Sequence, residues 1–179
     1  MTRDEMVAVM GVLKTAYPSF YRDMKRQDAL DALALWTEMF EDDDPKTVAS
    51  AVKSLISTRK EGYPPTIGEV KAKIADLTQP KEMTELEAWS LVERACRNGL
   101  HGAGEEFAKL PPLIQKAVGS PNQLREWAMM DADTVKSVVA SNFMRSFKIY
   151  QKRERETAML PESVRELLTG VTERLALNG

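Results

Sequence analysis

The chain has 179 residues, and its 25 Lys and Arg against 27 Asp and Glu give a formal net charge of −2. This balance excludes a uniformly basic protein that coats nucleic acid, and the 43% of apolar and 29% of charged residues are typical of a soluble globular protein. No apolar run approaches the roughly 20 residues that a membrane span needs. Since no apolar segment follows the charged first residues, we find no secretory signal and expect a cytoplasmic protein that does not bind membranes.

One cysteine and one histidine, Cys96 and His101, exclude an internal disulfide and a zinc site of the Cys/His type, which needs three or four such ligands. His101 lies in a predicted glycine-rich loop at residues 99–104 and has no Gly-x-Ser-x-Gly motif near it. The chain also contains no Gly-Lys dipeptide, so the Walker type of phosphate loop is absent. We therefore expect no enzyme, no catalytic residues, no cofactor and no bound metal.

Apolar residues recur at helical spacing and no useful strand-like alternation appears, so we predict an all-α fold. Three threonines, each followed three residues later by glutamate, predict capping boxes that begin helices at Thr2, Thr66 and Thr84. Tyr17-Pro18 predicts one helix end, and Gly62 predicts another as the residue after the helix. The inner faces of the first four helices are predicted at Met6, Val9, Met10 and Leu13, at Leu30, Leu33, Trp36 and Phe40, at Val48, Ala51, Val52, Leu55 and Ile56, and at Ile67, Val70, Ile74 and Leu77.

The acidic run at residues 41–44 has the composition of a metal site, but helix capping explains it better. Asp44 is predicted to cap a helix in which Pro45 takes the first position, and the acids favour its positive N-terminus. The glycine and the twelfth-position glutamate of a calcium loop are missing.

A change in composition divides the chain into a small N-terminal helical bundle and a second helical region. We predict an N-terminal domain at residues 1–77, a linker at 78–83 and a C-terminal partner-binding region at 84–179. In the second region a helix with Leu86, Trp89, Val92 and Cys96 on one face is followed by the flexible loop 99–104. Further helices are predicted to begin at Pro111-Pro112, at Ser120-Pro121, near Asp133 and at Pro161-Glu162.

One local charge feature stands out against the near-neutral total. Residues 145–155 contain five Lys and Arg and one Glu, and aromatic side chains are interleaved with them. Such a stripe could bind phosphates, could place an amphipathic helix in an acidic groove of a protein, or could be a solvated helix end. The candidate partner-binding residues are Phe143, Arg145, Phe147, Tyr150, Lys152, Arg153 and Arg155.

Several short motifs resemble known phage replication proteins. In the first 80 residues their order and spacing closely resemble the phage replicative helicase loader/inhibitor family; the motifs are AYPSFY (16–21), LWTEMF (35–40), DDDP (42–45), AVK (51–53) and YPPTIGEVK (63–71). The second half is similar to the C-terminal region of many replication proteins of Gram-positive phages; its motifs are LPP (110–112), AVGSP (117–121), QLREWA (123–128) and SNFMRSF (141–147).

The resemblance implies a small helical N-terminal domain, no ATPase activity, and a C-terminal region that binds the hexameric replicative helicase. Such proteins inhibit the helicase and deliver it to an origin marked by the phage replication initiator, so contact with DNA is indirect, through the complex. We therefore expect a non-enzymatic adaptor, encoded by a phage or prophage, in the cytoplasm of the bacterial host. The alternative is a replication module that binds DNA directly through the basic aromatic stripe at residues 143–155.

Overall fold

The computed structural model describes residues 1–78 and 82–177, and the side chains within these ranges up to residue 171. All of its regular elements are helices, so the predicted all-α fold is confirmed. The helices are α1 (Arg3–Ala16), α2 (Pro18–Tyr21), α3 (Arg26–Met39), α4 (Pro45–Thr58), α5 (Ile67–Thr78), α6 (Glu85–Lys109), α7 (Pro112–Val118), α8 (Pro121–Met129), α9 (Ala132–Thr134), the π-helical segment π1 (Val135–Val139), α10 (Ala140–Ala158) and α11 (Glu162–Leu177).

The described residues form two compact units. Unit 1 takes its residues from 1–80 and 157–179, and unit 2 takes its residues from 81–156. The predicted linker at 78–83 lies at this division, although residues 79–81 are outside the described residues. The predicted C-terminal region at 84–179 differs from the observed grouping, because α11 belongs to unit 1.

Unit 1 is built around α1, which contacts α2, α3 and α4, while α5 packs on α4. The capping boxes predicted at Thr2 and Thr66 are present, and the Asp44 carboxylate accepts a hydrogen bond from Thr47 N–H at 2.9 Å. The buried apolar core consists of Met6, Val9, Leu13, Phe40, Val48, Ala51, Val52, Val70 and Ile74.

The predicted role of Gly62 at the end of α4 is wrong. The helix ends at Thr58, and Arg59 leaves it in an extended conformation while its N–H donates to Leu55 O at 2.9 Å. The Arg59 side chain forms ion pairs with Glu61 and Glu69. The chain therefore leaves α4 without a left-handed residue, and within the described residues only Gly119 has a positive φ.

Unit 2 contains a long helix where the sequence predicted a loop. The capping box at Thr84 is present, but α6 continues through residues 99–104 and only Gly102 departs from helical geometry, with φ −114° and ψ 27°. A Cβ placed on Gly99 would lie 3.3 Å from Ala128 Cβ and 3.5 Å from Leu124 O. The prediction of a flexible loop is wrong because Gly99 allows α6 and α8 to approach closely, and this packing keeps the segment helical.

The C-terminal helices of unit 2 complete its core. Ser120 caps α8 and Asp131 caps α9, and the chain then passes through π1 into α10. The buried apolar residues are Ala88, Trp89, Val92, Ala95, Leu110, Ile114, Val118, Leu124, Val135, Val139, Ala140, Phe143 and Phe147. Three leucines that were predicted on inner faces are exposed instead: Leu30 by 38%, Leu77 by 52% and Leu86 by 67%.

Candidate functional site

The candidate stripe on α10 contains two aromatic residues that the structure places in the core. Phe143 and Phe147 are 2% and 1% exposed, and their ring centres are 5.9 Å apart. Phe143 also lies 5.6 Å from the Trp89 ring on α6. Both side chains are correctly predicted as neighbours on one helix face, but that face packs inside unit 2 and is closed to a partner.

The basic side chains of α10 lie mostly on the opposite face. Arg145, Lys148 and Lys152 follow one another at intervals of three and four residues, and an α-helix turns by about 100° per residue. All three are exposed, and so is Arg153 on an adjacent part of the surface. Tyr150 and Arg155 are only partly buried. The solvent-facing part of the candidate site is therefore formed by basic side chains, with one accessible aromatic ring at its edge.

Acidic residues at and before the start of α6 neutralise part of this surface. Lys148 Nζ lies 3.6 Å from Glu85 Oε1, and Arg155 Nη1 lies 3.8 Å from Glu82 Oε1. Gln151 Nε2 donates to Met83 O at 2.8 Å and ties α10 to the same segment.

Lys152 pairs along its own helix with Glu156 at 3.7 Å. Within the described residues Arg145 and Arg153 form no ion pair. These two guanidinium groups are therefore the ones most available to an acidic partner.

The acidic run at residues 41–44 has a structural partner at every position. Glu41 accepts a hydrogen bond from Ser163 Oγ at 2.7 Å, and Asp42 accepts one from Glu162 N–H at 2.8 Å. Asp43 pairs with Lys71, and Asp44 caps α4. Across the described residues, no group of three or more His, Cys, Asp or Glu side chains could hold a metal ion.

The histidine and the cysteine of the chain, the two side chains here that most often act in catalysis or metal binding, both lie on α6. His101 is an exposed helical residue and not the loop residue that the sequence predicted. Cys96 is half-buried, and burial is the main cause that raises the pKa of its thiol to about 11. A thiol with this pKa is protonated at neutral pH, so it is a poor nucleophile and metal ligand.

Sequence reasoning missed the concave surface beside α1 in unit 1. A groove between α1 and α4 contains two adjoining depressions of about 320 Å³ and 770 Å³ that share Ala8, Val12 and Lys53. A separate apolar depression of about 280 Å³ is lined by Met10, Met24 and Leu33, among others. The available signal was the outer face of α1, where exposed Val7, Ala8, Gly11 and Val12 are small or apolar.

None of the described helices is both long enough and apolar enough to span a membrane.

Comparison with known proteins finds a family match in the N-terminal part of the chain. Residues 1–71 match the family that is defined by the N-terminal domain of a phage helicase loader and inhibitor. No curated protein and no solved structure matches the chain. The matched segment contains eight of the nine buried core residues of unit 1, the ninth being Ile74. The N-terminal part of this chain is therefore similar to this family of phage helicase loader and inhibitor proteins, as its sequence motifs predicted.

Proposed function

We propose that this protein is a phage DNA replication adaptor that binds the hexameric replicative helicase, inhibits it, and helps to load it at an origin marked by the phage replication initiator. The observation that carries the proposal is the match of residues 1–71 to the N-terminal domain of a helicase loader and inhibitor. The adaptor acts without an active site of its own, in the cytoplasm of the bacterial host.

The exposed cations of α10 are the proposed helicase contact. Arg145, Lys152 and Arg153 are the solvent-facing members, and Tyr150 and Arg155 border them. Phe143 and Phe147 support this surface from inside by fixing α10 on α6. An acidic patch on the helicase would complement it, because charge complementarity raises the rate of association and suppresses wrong partners.

Inhibition and loading follow from one difference in affinity. An adaptor that binds an inactive helicase state more tightly than the active state shifts the helicase population toward the inactive one. A competing partner at the origin then releases the helicase. The protein needs no nucleotide hydrolysis for this exchange, because binding free energies alone set the populations.

The test is co-elution of the full chain with the replicative helicase, together with the helicase ATPase rate. We expect a complex at micromolar concentration and a reduced ATPase rate. The double variant Arg145→Glu/Lys152→Glu should weaken binding about tenfold or more, since two exposed attractive charges become repulsive. The matched control is Lys116→Glu/Arg125→Glu, which makes the same charge change at exposed positions of α7 and α8. No complex and an unchanged ATPase rate would refute the proposal.

Direct DNA binding is the second candidate function. It is favoured by the guanidinium groups of Arg145 and Arg153, which form no ion pair with any residue that the structure describes. Such binding would weaken with salt, with a log-log slope of about −0.9 for each phosphate neutralised. Arg145→Ala and Arg153→Ala would each reduce the affinity and the slope. Absence of DNA binding at low salt would leave the adaptor as the sole candidate.

A further inference from the structure

The groove between α1 and α4 has two walls, one on each helix, whose residues are regularly spaced along the sequence. On α1 the wall consists of Glu5, Ala8, Val12 and Ala16, and on α4 it consists of Lys46, Ala49, Lys53 and Ile56. Each wall advances by three or four residues per step, which keeps its members on one helix face. The floor is apolar and includes Val9 and Val52 of the unit 1 core.

The length and spacing of these walls suit a third helix. From Glu5 to Ala16 the α1 wall extends about 17 Å at 1.5 Å per residue, which is about three helical turns. Steps of three and four residues are also the spacing with which helices interdigitate side by side. The alanines at Ala8 and Ala49 and the missing side chain of Gly11 leave space for another backbone to come close.

The charge of the groove specifies the partner. Lys46 and Lys53 are exposed, two turns apart on the same face of α4, and neither forms an ion pair with another described residue. The single acid, Glu5, is already used: its carboxylate accepts hydrogen bonds from Thr2 N–H at 2.7 Å and from Thr2 Oγ1 at 2.8 Å. The Lys46 charge contributes to the lowered pKa of the neighbouring Asp44 cap, but the two groups do not form an ion pair. The wall on α4 therefore presents two positive charges that can pair with whatever occupies the groove.

We propose that the groove between α1 and α4 binds an amphipathic helix of a partner protein, with small apolar residues facing the groove and two carboxylates along the α4 side at the spacing of Lys46 and Lys53. The apolar stripe of this helix covers Ala8, Val12 and Ala49. Its carboxylates pair with the two lysines. None of its residues belongs to the proposed helicase contact, so this proposal does not depend on that contact.

The test uses the full chain and a synthetic, stapled peptide helix about three turns long. The peptide has alanine and leucine on one face and two glutamates on one flank at the spacing of Lys46 and Lys53. A composition-matched peptide carries both glutamates on the face opposite the apolar stripe. We expect micromolar binding of the first peptide, measured by fluorescence anisotropy, and at least about tenfold weaker binding of the second.

Charge reversal on the protein gives the decisive comparison. Lys46→Glu/Lys53→Glu should weaken binding of the glutamate peptide about tenfold, and a lysine version of the peptide should bind this variant better than the original protein. Lys14→Glu/Lys60→Glu makes the same charge change at exposed positions of unit 1 outside this groove and should leave binding unchanged.

Methyl NMR spectra of the full chain locate the bound peptide and report whether each variant is folded. Chemical shifts should change at Ala8, Val12 and Ala49 and should stay constant at Ala29 and Leu33, which line the separate depression beside α3. Absence of binding at millimolar peptide, equal binding of the two peptides, or shifts confined to Ala29 and Leu33 would each overturn the proposal. The experiment contains no helicase, so its outcome is independent of the test of the proposed function.

Discussion

The ammonium group of Lys71, on α5, lies against the acidic run and against Phe40, the residue that follows α3. Lys71 Nζ lies 2.5 Å from Asp43 Oδ2 and 4.9 Å from the centre of the Phe40 ring. The Lys71 and Asp43 side chains are 9% and 17% exposed. The charge is thus compensated by one carboxylate and one aromatic face where water has little access.

Removal of the Asp43 carboxylate should destabilise the protein, because it leaves the buried Lys71 ammonium group without a counter-charge. Asp43→Ala is expected to lower the free energy of unfolding by about 2–3 kcal/mol, because it leaves a poorly solvated ammonium group without its partner. Urea denaturation followed by circular dichroism measures the loss. In the double variant Asp43→Ala/Lys71→Met the charge is gone, so most of the stability should return. A double variant as unstable as the single one would contradict this explanation.

The positions of Phe143 and Phe147 show what helical periodicity in the sequence can and cannot predict. Phe143 and Phe147 were predicted to share a helix face, and they do, because their spacing alone determines it. The spacing of one helix does not say which of its faces packs inward. That choice depended on Trp89 and the rest of the α6 wall, which are distant in sequence.

Helix N-termini were predicted better than any other feature of the elements. The capping boxes at Thr2, Thr66 and Thr84 and the caps at Asp44 and Ser120 all form, since a cap is a local exchange of hydrogen bonds within four residues. The interior of α6 was predicted incorrectly, because glycines weaken a helix locally while the packing of Gly99 against α8 strengthens it. The local weakening by glycine can be predicted from the sequence, whereas the packing between α6 and α8 cannot.

The carboxylates of the caps make the stability of unit 1 depend on pH. Hydrogen bonds from the backbone, and then from the side chain, of Thr2 lower the pKa of Glu5 from its ordinary value, and those of Thr47 lower the pKa of Asp44 in the same way. The backbone N–H of Thr66 is likewise the largest cause that lowers the pKa of Glu69. A carboxylate with a lowered folded-state pKa stabilises the fold fully above its unfolded pKa, and this contribution is lost as the pH falls through the folded pKa.

We therefore expect unit 1 to keep a constant stability from pH 7 to about pH 5 and to lose stability progressively below about pH 4.5. The variant Glu5→Gln/Asp44→Asn/Glu69→Gln retains cap-competent side chains but cannot titrate, so its loss of stability between pH 5 and pH 3 should be smaller. Urea midpoints across this range measure the effect. The matched control, Asp23→Asn/Asp28→Asn/Glu38→Gln, changes carboxylates whose oxygens accept no hydrogen bond in the described structure. Identical pH profiles for the two triple variants would count against the role of the caps.

At the scale of the whole molecule, the division into units follows contacts that no local pattern contains. The family match ends at residue 71, yet unit 1 also includes α11. Asp42 accepts a hydrogen bond from the first N–H of α11, and Glu41 accepts one from Ser163 Oγ. The residues of these pairs are more than a hundred positions apart in the chain, so local sequence patterns group α11 with the second region.

Loss of these two acceptors should release the start of α11 without unfolding the core of unit 1. In Glu41→Ala/Asp42→Ala we expect amide hydrogen exchange at residues 162–168 to accelerate about tenfold, which corresponds to the loss of roughly one net hydrogen-bond contribution. Exchange in α1 and α4 should stay unchanged. Asp23→Ala/Asp28→Ala is the control with the same change of charge. Unaltered exchange in α11 would show that other contacts hold it.

The position of α11 in unit 1 also determines the order in which the parts of this unit can form during synthesis. A ribosome completes residues 1–80, then all of unit 2, and only afterwards the helix whose first turn Asp42 caps. The core of unit 1 lies within the first segment and can fold while unit 2 is still being synthesised. The carboxylates of Glu41 and Asp42 can form their hydrogen bonds only after Glu162 and Ser163 have been added to the chain. Nascent chains stalled before residue 157 should therefore carry a folded bundle with this acidic corner open to solvent.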